Sequence, residues 1–576
     1  MASFLTVVQN ILEKRENTAS LGKRTADTSV FVLNEKQCTH LWRVIRVVHN
    51  YFKSSLQLPG PYIQRHKCLP DILKEFCVIV TRADALVHDV FGCEQSWLQA
   101  AVFEGNHRLV FEELILDLKA CVRLFHDSTG YPISVIDSAT IWRYGLFDSQ
   151  LDAANLRATL DDLLARPALG EQERLLAQYL LEREVSTNSQ DDSFPQFYSV
   201  KREYPDSGKY IGHGSFGAVY SVKWLGINCA KKHFSTTKDE NSVKEILREV
   251  SVLATLNHPH IVKLLCASFD SEVSFVMELM PMSLDAFIKE RWKASPGGIA
   301  PTAAIDIMLQ IAQGMEYLHG QDIVHRDLKS SNVLVFPSEI KQLRDEGYAY
   351  VKLIDFGLAK VKARERMNPT QEKMGSSRWR APEAFAADQP IDWKKADAYS
   401  FGMTCSEILT GKVPFHHGLL NELFKRIVGG ERPKLPSSCP DSLASLVGAC
   451  WRTKPSSRPS FTEIIETLTS VKRNLLMYGL DGYDRAPEPS MSFFQRLAIR
   501  IISPAYVDPS ESSKVDVQLD VTRGLLVMPP ERHDGRGVAS RWNMTRLTSV
   551  FRNSSNVPEY IQTYPHLLGK FQEKCY

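Results

Sequence analysis

The chain has 576 residues, with 69 lysines and arginines against 67 aspartates and glutamates, a formal net charge of +2. So even a balance argues against a surface built for wholesale nucleic-acid or membrane binding, and 44% hydrophobic with 24% charged residues is an ordinary globular composition. The length is too great for one core and predicts two or three domains. The 11 cysteines run from Cys38 to Cys575 with no C-x-x-C pair and no Cys/His ligand spacing, which points to reduced thiols rather than zinc or disulfides. Met1 to Asn10 lacks the charged and apolar regions of a leader, and no uncharged apolar run is long enough to cross a bilayer, so a soluble, cytoplasmic protein is expected.

From the N-terminus to about Val185 the apolar residues recur at helical spacing. Phe4, Leu5, Val8, Ile11 and Leu12 form one stripe, and Leu41, Val44, Ile45, Val48 and Phe52 a second. Ile72, Phe76, Val80, Leu86 and Val90, then Phe111, Leu114, Leu118, Val122 and Phe125 continue the pattern, which Leu151 to Leu164 and Leu175 to Leu181 complete. The spacing predicts about six helices in an antiparallel bundle. No His/Glu or Ser/His constellation recurs there, which fits a docking, oligomerising or regulatory part; amphipathic helices of this kind also bind membranes once released from a core. Ser186 to Ser193, small, polar and aperiodic, reads as a linker.

Short β-like runs then take over. Tyr210-Ile211 leads into Gly212-His213-Gly214-Ser215-Phe216-Gly217, and the chain continues as Ala218-Val219-Tyr220-Ser221-Val222. Three glycines at this spacing are a weak signal alone, since dinucleotide sites share them, but such a site would open a helix where this chain continues a strand. The stretch therefore reads as a hairpin lid over phosphates, where the backbone comes close to phosphate oxygens. In the next strand, Ile227 to Lys232, two lysines are adjacent and only one can face the phosphates, because side chains alternate. A helix follows, with Glu249 placed to hold that lysine and Glu245 reading as a solvated charge. Phe275 to Met280 reads as a buried strand running into a connector. Farther on, His325-Arg326-Asp327-Leu328-Lys329-Ser330-Ser331-Asn332 and Ile354-Asp355-Phe356-Gly357 supply two acids, an amide and an ammonium group. Phosphoryl transfer from a magnesium nucleotide needs such a set: a carboxylate to orient the attacking hydroxyl, a carboxylate and an amide for Mg2+, and a cation near the moving phosphate.

With Ala381-Pro382-Glu383 after them, and Asp397 and Arg458 beyond, these motifs stand in an order that resembles the eukaryotic protein kinases, over roughly Tyr204 to Thr469. The resemblance implies an α+β chain: a helical bundle over residues 1–185, a linker over 186–203, a bilobal protein kinase fold over 204–475 and a partly disordered tail over 476–576. It implies ATP and Mg2+ as cofactors and a protein substrate as partner. Asp327 takes the part of catalytic base, Asn332 and Asp355 hold Mg2+, and Lys329 contacts the γ phosphate and marks serine/threonine substrates. Counting from Trp224-Leu225-Gly226, Lys231 anchors the α and β phosphates and Cys229 lies against adenine, with Lys232 and Ala230 as the alternative register. Ile211, Gly212, Gly214, Gly217, Val219, Glu249 and Leu334 complete the ATP pocket, backbone groups of Glu278 and Met280 meet the adenine edge, and Met277 guards the space behind. In the family, Arg458 pairs with a glutamate at the place of Glu383.

Trp224-x-Gly226 and Tyr399-Ser400-Phe401-Gly402 resemble the tyrosine-kinase-like group common in plants. The layout, a helical domain ahead of a kinase fold, is similar to that of plant mixed-lineage-kinase-domain-like proteins, where a HeLo-type bundle precedes a pseudokinase. That likeness implies a second reading, a scaffold whose kinase fold switches a bundle acting by self-association or at membranes, although this chain keeps every catalytic residue that such relatives tend to lose. Arg326 beside Asp327 suits a phosphate on the loop between Asp355 and Glu383, where Thr370, Ser376 and Ser377 are available. Leu334 to Val351 is longer than the family needs and reads as a surface loop. In the tail, Phe493, Phe494, Leu497 and Ile501 share a helical face, with Arg496 and Arg500 on another, and the rest is turn-rich.

Overall fold

The computed structural model describes residues 2–22, 33–56, 68–91, 97–103, 107–133, 146–167, 169–186, 208–214, 217–233, 256–268, 274–295, 297–355, 376–385, 390–417, 422–482, 518–520 and 525–527. It forms two compact units, Met1–Pro487 and Glu488–Tyr576.

Among the described residues the first unit opens with seven helices: α1 (Ala2–Gly22), α2 (Glu35–Leu56), α3 (Leu69–Phe91), α4 (Trp97–Phe103), α5 (His107–Thr129), α6 (Leu146–Ala165) and α7 (Glu171–Ser186). The stripes read from the sequence fall on all of them except α4, whose seven residues are too few to show helical periodicity. At the centre, the Phe52 ring lies 5.0 Å from Phe76 and 4.9 Å from Phe125, in tilted and edge-on packing. The first turn of α2 has its free amides satisfied from across the bundle: the buried Asp152 of α6 accepts from the backbone of Lys36 at 3.0 Å and Gln37 at 3.1 Å. A carboxylate there also meets the positive end of the helix dipole.

Five antiparallel strands follow in the order β1-β2-β3-β5-β4, namely Lys209–Gly214, Gly217–Trp224, Ile227–His233, Ser274–Glu278 and Leu264–Ser268 for β1, β2, β3, β5 and β4. One face of this sheet is closed by the bundle. Val222, Trp224, Cys229 and Val276 share a buried apolar cluster with Leu98 of α4, Leu160 of α6 and Leu176, Tyr179 and Leu180 of α7. The Tyr179 ring packs edge-on against Trp224 at 5.0 Å, and its hydroxyl donates to the Leu265 carbonyl at 2.8 Å, so the ring is buried with its one polar atom satisfied.

The helical lobe comprises α8 (Leu284–Ala294), α9 (Pro301–Gly320), α10 (Lys341–Glu346), α11 (Trp393–Thr410), α12 (Leu423–Val428), α13 (Asp441–Cys450) and α14 (Phe461–Gly482), with a small sheet β6-β7-β8 at Met282–Ser283, Val333–Pro337 and Ala349–Leu353. Here too the bundle is attached. Lys472 of α14 reaches Glu75 of α3 at 2.7 Å and Asp306 of α9 at 2.8 Å, and Arg473 lies 3.5 Å from Asp127 of α5. The segment expected to be a surface loop after Leu334 corrects that reading. It forms the end of β7, helix α10 and most of β8, buries Leu343 and Tyr348, and pairs Glu346 with Lys74 of α3 at 2.9 Å. Its polar composition hid a helix of only six residues.

In the second unit, Gln518–Asp520 (β9) pairs antiparallel with Leu525–Val527 (β10). The amphipathic stretch from Phe493 to Ile501 and the turn-rich segments after it lie outside the described residues, as do the linker residues 187–203. Among the described residues no helix is long and apolar enough to cross a membrane.

Candidate active site

The loop at Asp327 is fixed from below by one buried carboxylate. Asp397 on α11, wholly enclosed, accepts from the backbone amides of His325 and Arg326 at 2.8 Å each and contacts Nε2 of His319 at 2.9 Å. Such bonds to an ionised acceptor are stronger than neutral ones, and they hold Arg326 in the left-handed region, φ +66°, which costs a residue with a Cβ. The His325 ring is buried, and burial pulls its pKa below the ordinary imidazole value, keeping it a neutral packing group.

On this base the reactive groups converge. Lys329 donates from Nζ to Asp327 Oδ2 at 2.7 Å, and Asn332 donates from Nδ2 to the same oxygen at 3.0 Å and to the Asp327 carbonyl at 2.7 Å. With its amide nitrogen committed, Asn332 keeps Oδ1 as an oxygen donor. The Asn332 carbonyl accepts from the Ile354 amide at 3.0 Å, which ties the loop to the strand that delivers Asp355, itself at φ +62°. A left-handed aspartate is a local cost that the surrounding pairing must over-determine, and it turns up where a side chain has to be aimed.

The cleft face of the sheet corrects the expected lysine register. In β2 and β3, Val219 stands opposite Lys232, and Ser221 opposite Ala230, which in turn faces Met277 on β5. Directly paired residues project to the same side, so Val219, Ala230, Lys232 and Met277 share one face. There the Lys232 ammonium pairs with the Asp355 carboxylate, both side chains nearly enclosed. Cys229 and Lys231 belong to the opposite face, where Cys229 is buried in the cluster shared with the bundle and burial pushes its thiol pKa up to about 12. The placement of Lys231 at the phosphates and Cys229 at adenine is therefore overturned, and the alternative register with Lys232 and Ala230 is the one observed.

Of the other expected pocket residues, Gly212 pairs with Val219 and Gly214 with Gly217 at the hairpin end, Ile211 is exposed on β1, and Leu334 lies half-buried on β7. Met280, half-buried, follows the end of β5, and the Glu278 amide donates to the Lys263 carbonyl at 3.1 Å. Glu245, Glu249, Phe356, Gly357 and Thr370 lie outside the described residues. Glu383 and Arg458 meet in a two-pronged ion pair at 2.5 and 2.8 Å. Two charged residues join without a motif of their own. Lys352 of β8 binds both carboxylate oxygens of Glu278, at 2.7 and 2.6 Å. Glu407 of α11 lies against Ser330 and Trp379, and burial pushes its carboxyl up to about 7. Neither has a spacing signal; strand pairing would have brought Lys352 near the connector, while Glu407 shows only in three dimensions.

A family model described as protein tyrosine and serine/threonine kinase matches residues 206–468. These residues form a protein kinase domain. The kinase domain and more are similar to a "Light-sensor Protein kinase" of Ceratodon purpureus, 32% identical over 509 residues, which cover 79% of this chain and 38% of that protein. The "Serine/threonine-protein kinase VIK" of Arabidopsis thaliana is 34% identical over 275 residues, 46% of this chain and 59% of the relative. A rat megakaryocyte-associated tyrosine-protein kinase is 32% identical over 263 residues, 45% of this chain and 52% of the relative. The chain thus spans less than two thirds of the length of each. Among solved structures, the AtMLKL3 tetramer matches with a TM-score of 0.65 at 24% identity, over 86% of this chain and 94% of that one. That likeness shows a shared fold that takes in the helical bundle as well as the kinase domain.

Proposed function

We propose that this chain is a protein serine/threonine kinase of intracellular signalling, transferring the γ-phosphate of ATP to protein hydroxyl groups in the cytoplasm. The observation that carries the reading is the convergence of Asp327, Lys329, Asn332, Asp355 and Lys232 in one cleft. The donor set fits Mg2+, a hard cation that takes oxygen ligands: the Asp355 carboxylate and the Asn332 Oδ1 would hold it, and the ion would supply charge for the phosphates. Lys232 would then hold the α and β phosphates beside Asp355. Asp327 would accept the proton of the acceptor hydroxyl and orient it, a contribution of roughly 10²–10⁴-fold for a positioned general base. Lys329, bonded to Asp327, would meet the transferring phosphate and favour serine or threonine acceptors.

Incubation of the full chain with Mg-ATP and a mixed protein substrate, followed by phosphoamino-acid analysis, tests this. Phosphoserine and phosphothreonine are expected for the wild type and neither for Asp327→Asn. Phosphotyrosine alone would overturn the acceptor class, and equal transfer by Asp327→Asn would overturn the site. A second reading is favoured by one observation, the attachment of the bundle to both parts of the kinase domain: the kinase fold acts as a switch for a HeLo-like bundle that self-associates or meets membranes. Its sign would be chain assembly or vesicle leakage by wild type and Asp327→Asn alike, with no phosphate transfer in either.

A further inference from the structure

The turn after α11 and the segment before Ala381 gather basic side chains in the helical lobe. Arg378 donates from Nη1 to the Pro414 carbonyl at 3.0 Å and also to the Phe415 carbonyl, which fixes the turn after α11 against the segment before Ala381. Phe415 is held at φ +52°, and beyond it His416 and His417 stand exposed side by side, ring centroids 3.7 Å apart. Lys412 is exposed on the same turn. Slight desolvation and the neighbouring His417, Lys412 and Arg378 lower the His416 pKa, so the four groups lie within electrostatic reach of one another. The nearby carboxylate of Glu431 is already taken by Arg426, at 2.8 Å, and Glu422 also faces that arginine.

A continuous path places this cluster relative to the reacting groups. Trp379, next to Arg378, has its carbonyl held by the Ser400 hydroxyl at 2.9 Å and its side chain against Glu407, which also lies against Ser330, three residues from Asp327. The two carbonyls that Arg378 bonds carry no formal charge, and Lys412, His416 and His417 are exposed. A surface of this kind repels a basic segment and attracts an acidic one.

We infer that Arg378, Lys412, His416 and His417 bind an anionic side chain, carboxylate or phosphate, near the acceptor hydroxyl, so that the protein substrates of this kinase are acidic segments. The inference rests on the proposed kinase activity. Arg378 and Lys412 supply the charge and the two imidazoles supply N–H donors; exposed contacts of this kind are weak singly and together give about tenfold in affinity.

The test uses the full chain and three sets of serine peptides alike except at positions flanking the acceptor: aspartate-bearing, phosphoserine-bearing and neutral. Fluorescence anisotropy reads binding, and Mg-ATP kinetics read transfer. Anionic peptides are expected to bind about tenfold tighter than neutral ones, with a gap that closes as salt rises. In kinetics the gap is expected in KM rather than kcat, and Lys412→Ala/His416→Ala/His417→Ala should bring anionic peptides down to the neutral level. A preference confined to phosphoserine peptides would assign phosphate as the ligand, and one shared by aspartate peptides would assign carboxylate. Equal binding of all three sets, or a preference that the triple variant keeps, overturns the inference. Because anisotropy needs no turnover, selective binding without transfer would refute the kinase reading and leave the anion site standing.

Discussion

Replacing Lys472 by methionine removes the ammonium between two buried carboxylates, and the outcome can be worked from the contacts. Lys472 Nζ lies 2.7 Å from Glu75 and 2.8 Å from Asp306, and all three side chains are almost enclosed. Burial alone would lower the Lys472 pKa, yet Asp306 and Glu75 hold it above the ordinary lysine range, so the ammonium is charged at every working pH. Asp306 keeps other help in the variant, since Gln310 Nε2 donates to it at 2.9 Å and Arg82 is near. Glu75, whose pKa burial already raises, has Lys472 as its leading source of positive charge. Breaking a buried pair by removing one partner costs about 3–5 kcal/mol, and Lys472→Met should lose that much in urea unfolding followed by circular dichroism. Lys472→Met/Glu75→Gln should recover a large part, because the stranded charge is gone. The pH dependence has a definite sign. Asp306 has its pKa lowered from 3.8 in the fold, so its stabilisation is present above that value and lost as pH falls through the folded pKa. In Lys472→Met this contribution shrinks, and the deficit against wild type should narrow only below pH 3.8, as pH falls through the folded Asp306 pKa. A single variant within about 0.5 kcal/mol of wild type, the scatter of ordinary surface changes, or a double variant no better than the single one, would refute the reasoning.

Three further outcomes follow from other contacts. Lys232→Met is expected to cut phosphate transfer by roughly 10²–10³-fold, as removal of a preorganised electrostatic group does, while Lys231→Met should act on thermal stability; the opposite pattern would overturn the register seen in β3. Gly226 sits at φ +81° with the side-chain amides of Gln99 and Gln172 where a Cβ would go, so Gly226→Ala should lower stability by about 1 kcal/mol or more and expose the Tyr179–Trp224 contact, read as a red shift of tryptophan emission. Glu407, with its carboxyl pushed by burial to about 7, favours the fold in its neutral form; stability from this group is present below the unfolded value of 4.5 and lost as pH rises to 7. Glu407→Gln should therefore flatten the thermal-stability profile between those limits, by at most about 3 kcal/mol in all. An unchanged slope would exclude this group as its source.

The catalytic half of the cleft was legible because chemistry dictates residue type there. Two acids, an amide and a lysine must stand at set intervals for a magnesium nucleotide to be used, and no packing requirement mimics the set. The lysine of β3 was harder, because in an ordinary half-exposed sheet the outer face is polar and alternation picks out the inner one. Here the outer face, with Cys229, is sealed by the bundle, both faces of the strand are buried, and neighbouring lysines carry no sign of which side is which. Helix α4 and helix α10 escaped for a different reason. Each is about two turns or less, and their stability comes from residues far away in sequence, such as Lys74 for Glu346, rather than from a repeating pattern of their own.

The seal that Tyr179 and its neighbours place over Trp224 bears on how the chain is made. The bundle leaves the ribosome before the kinase domain, and Leu98, Leu160, Leu176 and Leu180 then belong to a surface whose other half, β2 to β5, has not yet been translated. Until those strands arrive the early product carries a sticky apolar face. A fragment beginning at the kinase domain meets the converse problem, with Val222, Trp224 and Val276 turned to water. Scissors placed at the linker would thus cut through a shared interior, and the two halves are best expressed, purified and inherited together.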